Sequence, residues 1–291
     1  MNGDLYERFV ADLRLKNYQK RSVQSYLRAM RQLQNFTCKA VEDITEEDVR
    51  EYWLYCKEDL GWGSATLRIS YSGIKLFYSL TFKRDWEVLR SVKFERDQTL
   101  PVVLNLDEVR AILGAIPNLQ NRAFFTLMYG CGLRLGEALN VQVADVDGRR
   151  KFVHVHRGKG AKDRLVPVAD SVLDVLRAFY RTHRNPTWLF PALGKGGKGG
   201  PTADHPVSET TVCGALHRAV VKAGIRKAMR PHTLRHSYAT HMLEAGVPVR
   251  HVQECLGHES LASTMIYLHI TSHGKEDSRR RMDQLMRGVL S

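Results

Sequence analysis

Apolar residues recur at helical spacing through the first ninety positions. Leu5, Phe9 and Leu13 stand four apart, and Val23, Tyr26, Leu27, Met30 and Leu33 follow in threes and fours, so each set shares one face of a helix. Thr45 with Asp48 three positions later resembles a capping box, which opens a third helix through VREYWLYCKEDL that stops at Gly61. A fourth follows Ser64 and carries Leu67, Tyr71, Ile74, Phe77 and Tyr78. Four short helices, each with one apolar face, predict a compact bundle over residues 1–90.

The period is lost in SVKFERDQTLPVV, residues 91–103, which contains Pro101 and reads as a linker. A second domain is expected over residues 104–291. Its first helix is capped by Asn105, with Glu108 in the third position, and helices continue through NRAFFTLMYGCGLRLGEALNV. The period then changes to two. KFVHVHRGKGAKDRLVPV alternates on both sides of a Gly-Lys-Gly turn and predicts a β-hairpin. Helices resume near Ser171, residues 191–206 (PALGKGGKGGPTADHP) read as a mobile Gly/Pro/Lys loop, and the remainder is helical. The expected class is mainly α (α+β), a helical bundle followed by a mostly helical domain with a small antiparallel sheet.

Composition narrows the partner. With 44 Lys and Arg against 31 Asp and Glu, the chain of 291 residues carries +13 and an isoelectric point near 9.6. An excess of that size favours a polyanion, most commonly nucleic acid. The excess is uneven: residues 1–39 hold eight basic residues against three acidic ones, whereas residues 42–59 hold eight acidic against two basic. The first two helices are therefore the part of the bundle expected to face phosphates. No run approaches the roughly 18 apolar residues needed to cross a bilayer, and MNGDLYERF lacks the basic and apolar segments of a signal peptide. A cytoplasmic, nucleoid-associated protein of bacterial type is expected. Five cysteines, Cys38, Cys56, Cys131, Cys213 and Cys255, are spaced singly and read as free thiols in a reducing compartment.

PHTLRHSYATHML, residues 231–243, concentrates three histidines and an arginine, a pattern open to metal binding, core packing or phosphate binding. A hydrolytic zinc helix would show H-E-x-x-H, but Thr233 follows His232, no acid lies before His241, and Arg235 would repel a cation. GKGGKGG lacks the hydroxyl residue that completes a nucleotide-binding loop. Phosphate fits better. Arg235 joins Arg134 of GCGLRLGEAL and Lys159 of the hairpin turn, and paired guanidiniums match the non-bridging oxygens of a phosphodiester. They would stabilise a transition state that gathers negative charge. Tyr267, nine residues after His258, is a nucleophile candidate if cations and a proton acceptor lower the cost of its phenolate. Taken singly, each of these side chains has an ordinary structural reading as well.

GLRLGEAL, GKGAKDRLVP, HTLRHSYATHMLEAG and LGHESLASTMIYLH, in this order across the second domain, resemble the tyrosine recombinase (phage integrase) family, most of all its compact Xer-type and integron-type members. The helical first domain is similar, less specifically, to the family's SAM-like core-binding domain, and the resemblance implies two domains clamping DNA. By position it implies that Arg134 and Arg235 hold the scissile phosphate, Lys159 is the general acid toward the departing 5′ oxygen, and His232 helps accept the tyrosine proton. His258 would donate to the phosphate, Tyr267 would be the nucleophile, and Glu137 would orient Arg134. His236, His241 and His269 fall at recurrent positions implied to be structural, while Leu234, Tyr238 and Met242 are expected to pack inward. The loop over residues 191–206 is longer than in the shortest Xer-type chains and reads as either a DNA contact or a tolerated insertion. The larger helical insertion of true integron integrases is missing.

The implied reaction is transesterification through a 3′-phosphotyrosine, serving DNA integration, excision or resolution, with neither metal nor ATP nor any other cofactor. Its partners would be double-stranded DNA and further subunits, as a homotetramer on DNA or with a partner recombinase. Met282, Leu285, Met286, Val289 and Leu290 form an apolar stripe in the tail, expected to dock into a neighbouring subunit or onto its own domain. Two rivals remain at this point. One is a type IB topoisomerase, which uses a similar residue set to nick and reseal one strand; the other is a catalytically silent DNA-binding protein.

Overall fold

The structure, a computed structural model, describes residues 2–95, 100–156, 163–194, 196, 199–268, 282–283 and 286–287. The chain divides into two compact units, Met1–Thr99 and Leu100–Ser291.

The first unit contains α1 (Asn2–Leu15), α2 (Lys20–Thr37), α3 (Glu46–Glu58), α4 (Ser64–Leu80) and the short α5 (Val88–Ser91). The four expected helices form, and the capping box at Thr45 is present: its hydroxyl accepts from the Asp48 amide while the Asp48 carboxylate accepts from the Thr45 amide. Helices α2 and α4 approach closely because Gly73 has no side chain, and a Cβ there would sit 3.0 Å from the Tyr26 Cα. Phe9, Met30, Leu33, Ile74, Phe77 and Tyr78 fill the core. Phe9 packs edge-on against Phe77 at 5.1 Å between ring centres, and the buried Tyr78 hydroxyl is satisfied by donating to the Val41 carbonyl.

The segment expected to link the units is anchored at both ends. Val92 and Phe94 pack with the first core, Phe94 edge-on against Trp53. At the other end the Leu104 amide donates to the buried Ser237 hydroxyl, and Leu104 is itself in the second core. Polar sequence and Pro101 hid these anchors, because each depends on one aromatic or one hydroxyl far away in sequence.

The second unit opens with α6 (Leu106–Ala115), capped by Asn105 and Glu108 as expected. Then come α7 (Leu119–Gly130), α8 (Leu135–Leu139), β1 (Val146–Asp147), β2 (Phe152–Val155), β3 (Arg164–Pro167) and α9 (Asp170–His183). Helices α10 (Glu209–Lys222), α11 (Pro231–Glu244), α12 (Val249–Leu256) and α13 (Ala262–Leu268) follow. The hairpin is antiparallel, with Val153 opposite Val166 and Val155 opposite Arg164. It gains a third, very short strand, with β1 pairing Val146 to Val153. Two residues are too few to leave an alternating signature in the sequence.

The loop expected to be mobile is tied down where it is described. Pro191 and Pro206 pair as an isolated bridge, and the buried Asn185 amide donates to the carbonyls of Gly200 and Ala203. Lys195, Gly197 and Lys198 lie outside the described residues. No helix among the described residues is long and apolar enough to cross a membrane.

Phe77 is fully buried and Leu54 is half exposed, at 49%. Phe77→Ala should therefore destabilise the first unit by about 3–5 kcal/mol, and Leu54→Ala by under ~0.5 kcal/mol, both read from urea unfolding curves.

Candidate active site

The chemistry-bearing residues of the second unit converge from α8, β3, α11, the α12 terminus and α13. Arg134 is the N-cap residue of α8, and its backbone amide donates to Glu137 Oε2 at 2.8 Å. Its guanidinium reaches back along the same turn to Glu137 Oε1, 2.7 Å away, and donates its other arm to the Gly257 carbonyl. Arg235, only 3% exposed on α11, donates to the carbonyls of Gly132 and Leu256 at 2.7 and 2.6 Å. Both arginines are thus held by backbone oxygens at places where the chain takes a left-handed turn. Gly132 and Gly257 have φ of +59° and +62°, a region open to glycine. A Cβ at Gly132 would lie 2.4 Å from the Tyr238 ring.

Glu137 is the hub. Besides Arg134 it accepts two hydrogen bonds from Arg164, at 3.0 and 2.8 Å, and its Oε2 lies 3.8 Å from Arg235. Arg164 also donates to the Cys255 carbonyl at 2.8 Å. Burial alone would push the Glu137 carboxyl up. The hydrogen bonds and charge of Arg164, together with Arg134, outweigh it and hold the group at about 2. Burial and the neighbouring Arg134 lower Arg235 to about 9, so it stays charged at neutral pH.

Tyr267 is 4% exposed on α13, and its hydroxyl lies 2.8 Å from Nδ1 of His236. His236 had been expected to be structural; the structure places it directly on the phenol. Burial, then the charges of His232 and Arg235, lower its ring to about 4, so it is neutral at physiological pH. The phenol moves the other way. Burial raises it above its ordinary value despite Arg235 and Arg134, so the cationic clamp does not by itself yield a phenolate.

His232, one turn before His236, is exposed and has no hydrogen bond among the described residues; the two rings are 6.3 Å apart. Desolvation, Arg235 and Arg134 lower it as well. His258 follows the left-handed cap of α12 at Gly257, as the helix stop in the sequence suggests. Its Nδ1 lies 2.8 Å from the Thr264 hydroxyl and its ring stacks at 6.3 Å on Tyr267. Burial and the arginines bring it down to about 4. His241 pairs with the Tyr129 hydroxyl at 2.8 Å. Leu234 and Tyr238 are buried and Met242 packs beside them, as expected. Lys159 and His269 lie outside the described residues.

Sequence reading missed Arg164 and the placement of His236. A signal existed for each. Arg164 has the same strand parity as buried Val166, so it must point inward. His236 stands four residues after His232, on the same helical face.

The fold of the second unit, mostly helical with a small three-stranded sheet, agrees with what comparison with known proteins finds. Residues 102–273 match the model of the phage integrase family, and residues 5–88 match that of the phage integrase N-terminal SAM-like domain. The chain belongs to the phage integrase family, the tyrosine site-specific recombinases. An integrase/recombinase-like chain of Sinorhizobium fredii is 36% identical over 272 residues, covering 92% of this chain and 85% of its own. Tyrosine recombinase XerA of Pyrococcus horikoshii is 30% identical, with 94% and 91% covered. The solved structure of XerH site-specific recombinase bound to palindromic difH substrate, a post-cleavage complex, superposes with a TM-score of 0.68 at 21% identity, over 91% of this chain and 80% of that one.

Glu137 supplies a test with a defined sign. Its folded value near 2 lies below the ordinary 4.5, so its contribution is fully present above about pH 4.5 and is lost as pH falls through 2. Glu137→Gln should destabilise the second unit by about 3 kcal/mol at pH 7. In denaturant melts, the gap to the unaltered protein should narrow steadily between pH 4.5 and 2.

Proposed function

We propose that this recombinase cuts and rejoins double-stranded DNA through a 3′-phosphotyrosine on Tyr267, with Arg134 and Arg235 gripping the scissile phosphate. The observation that carries the reading is the 2.8 Å contact between the Tyr267 hydroxyl and His236, within the electrostatic reach of Arg235 and Arg134. Tyr267 Oη bonds to phosphorus as the bond from phosphorus to the 5′ oxygen breaks. The phenol proton passes to His236 Nδ1, and the 5′ oxygen takes a proton from Lys159. A 5′-hydroxyl of a partner strand then reverses the step. One phosphoester replaces another at each stage, so the sequence draws on neither ATP nor metal.

The proton positions support a concerted step. With the phenol raised above 10 and His236 near 4, the proton rests on oxygen until the new bond to phosphorus removes the basicity of that oxygen. We assign His236 the first acceptance and His232, more exposed on the same helix face, the passage of the proton toward solvent. His258 donates to a non-bridging oxygen, and Glu137 fixes Arg134.

The basic helices α1 and α2 and the basic second unit supply phosphate contacts, so affinity should fall steeply with salt. Strand exchange needs two duplexes and four such sites, for which a homotetramer on DNA is the natural assembly. The tail is its docking element: Met282 and Met286, the two members of the stripe among the described residues, are 65% and 44% exposed. Leu285, Val289 and Leu290 lie outside the described residues. We place the protein in the cytoplasm at the nucleoid, where its free cysteines remain reduced.

Incubation with a nicked suicide substrate should trap a covalent protein–DNA adduct. Tyr267→Phe should abolish it, and His236→Ala should slow its formation by about 10²–10⁴ without weakening DNA binding. An adduct formed by Tyr267→Phe at the same phosphate would sink the proposal, and relaxation of supercoils without exchange between two sites would favour the topoisomerase reading. Removing residues 278–291 should leave the melting curve intact and abolish cooperative assembly on DNA in gel-shift titrations.

A further inference from the structure

The hairpin has two faces with different contents. Val153, Val155 and Val166 are buried, and Arg164 turns inward with them toward Glu137. His154, His156 just past β2, and Asp163 just before β3 project from the opposite face. Since Val155 pairs with Arg164, His156 falls opposite Asp163; since Val146 pairs with Val153, Asp145 falls opposite His154. The contacts then run along two diagonals and once straight across. His156 Nε2 is 2.6 Å from Asp145 Oδ1, while His154 Nε2 and His156 Nδ1 are 3.3 and 3.4 Å from Asp163 Oδ2. The two imidazole rings lie 3.9 Å apart.

We propose that Asp145, His154 and His156, with Asp163 beside them, form a binding site for a divalent transition-metal ion of the zinc class, separate from the Tyr267 site and on the other face of the same strands. One nitrogen or oxygen from each of Asp145, His154 and His156 lies within 4.8 Å of the others. A tetrahedral ion with bonds of about 2.0 Å needs its ligand atoms ~3.3 Å apart. The short His156–Asp145 contact would open slightly and the rest would close, adjustments within reach of side-chain rotation. The donor set is imidazole and carboxylate, which suits zinc, cobalt or nickel and disfavours calcium and magnesium. Asp145 is the best-fixed donor: it is buried, and its second oxygen accepts from the Gln142 amide, which leaves Oδ1 aimed at the histidines. Such an ion would fasten the 3₁₀ turn Val143–Asp145 to the end of β2, with Asp163, just before β3, beside it.

The test is cobalt titration of the chelator-treated full-length protein. The expected result is one Co²⁺ per chain, with the intense visible bands of tetrahedral coordination, no thiolate charge-transfer band, and displacement by Zn²⁺. Zn²⁺ should also raise the thermal midpoint of the second unit. His154→Gln and His156→Gln, singly and together, should remove the visible bands and the thermal shift while leaving metal-free circular dichroism and melting unchanged. His156 is exposed, so the single His156→Gln variant remains informative if the double variant folds poorly. Failure of the unaltered protein to take up cobalt, or equal uptake by His156→Gln, would overturn the proposal and leave an ion-pair cluster only.

Discussion

Three guanidiniums crowd one carboxylate in the second unit. Without Glu137, Arg134, Arg164 and Arg235 would repel one another in surroundings that solvate them poorly, as the lowered value of Arg235 shows. With it, the cluster still carries net positive charge, and that residual charge is what a phosphodiester would meet. The arrangement is costly to assemble, because four charged groups leave bulk water. It is stable because every arm of the hub is also hydrogen-bonded to a carbonyl or to the carboxylate.

Tyr267 sits in the same field but answers differently. Burial dominates for both members of the Tyr267–His236 pair, raising the phenol and lowering the imidazole. Each group is therefore neutral in the absence of substrate. On the proposed mechanism, that neutrality leaves the energetic work of ionisation to the moment of bond formation.

Much of this was legible in the sequence. Helical periodicity located α1 to α4, and the pairs Thr45–Asp48 and Asn105–Glu108 located helix starts to the residue, because a capping box is a local interaction between positions three apart. The hairpin and the stop at Gly257 were equally local. What stayed hidden was set by distance. Phe94 finding Trp53, Ser237 accepting the Leu104 amide and Asn185 pinning the 191–206 loop each join residues whose proximity no short window records. His236 shows a subtler limit, since its helical face was readable while the ring of Tyr267, 31 positions away, was not.

The carbonyls that grip Arg134, Arg164 and Arg235 belong to Gly132, Cys255, Leu256 and Gly257. Main-chain oxygens exist at every residue and acquire direction only when the path of the chain is fixed, so these arginines have no seat in an incompletely folded molecule. Competence to cut DNA would then arrive together with the finished tertiary structure, and a nascent or partly denatured copy, however basic, would lack it.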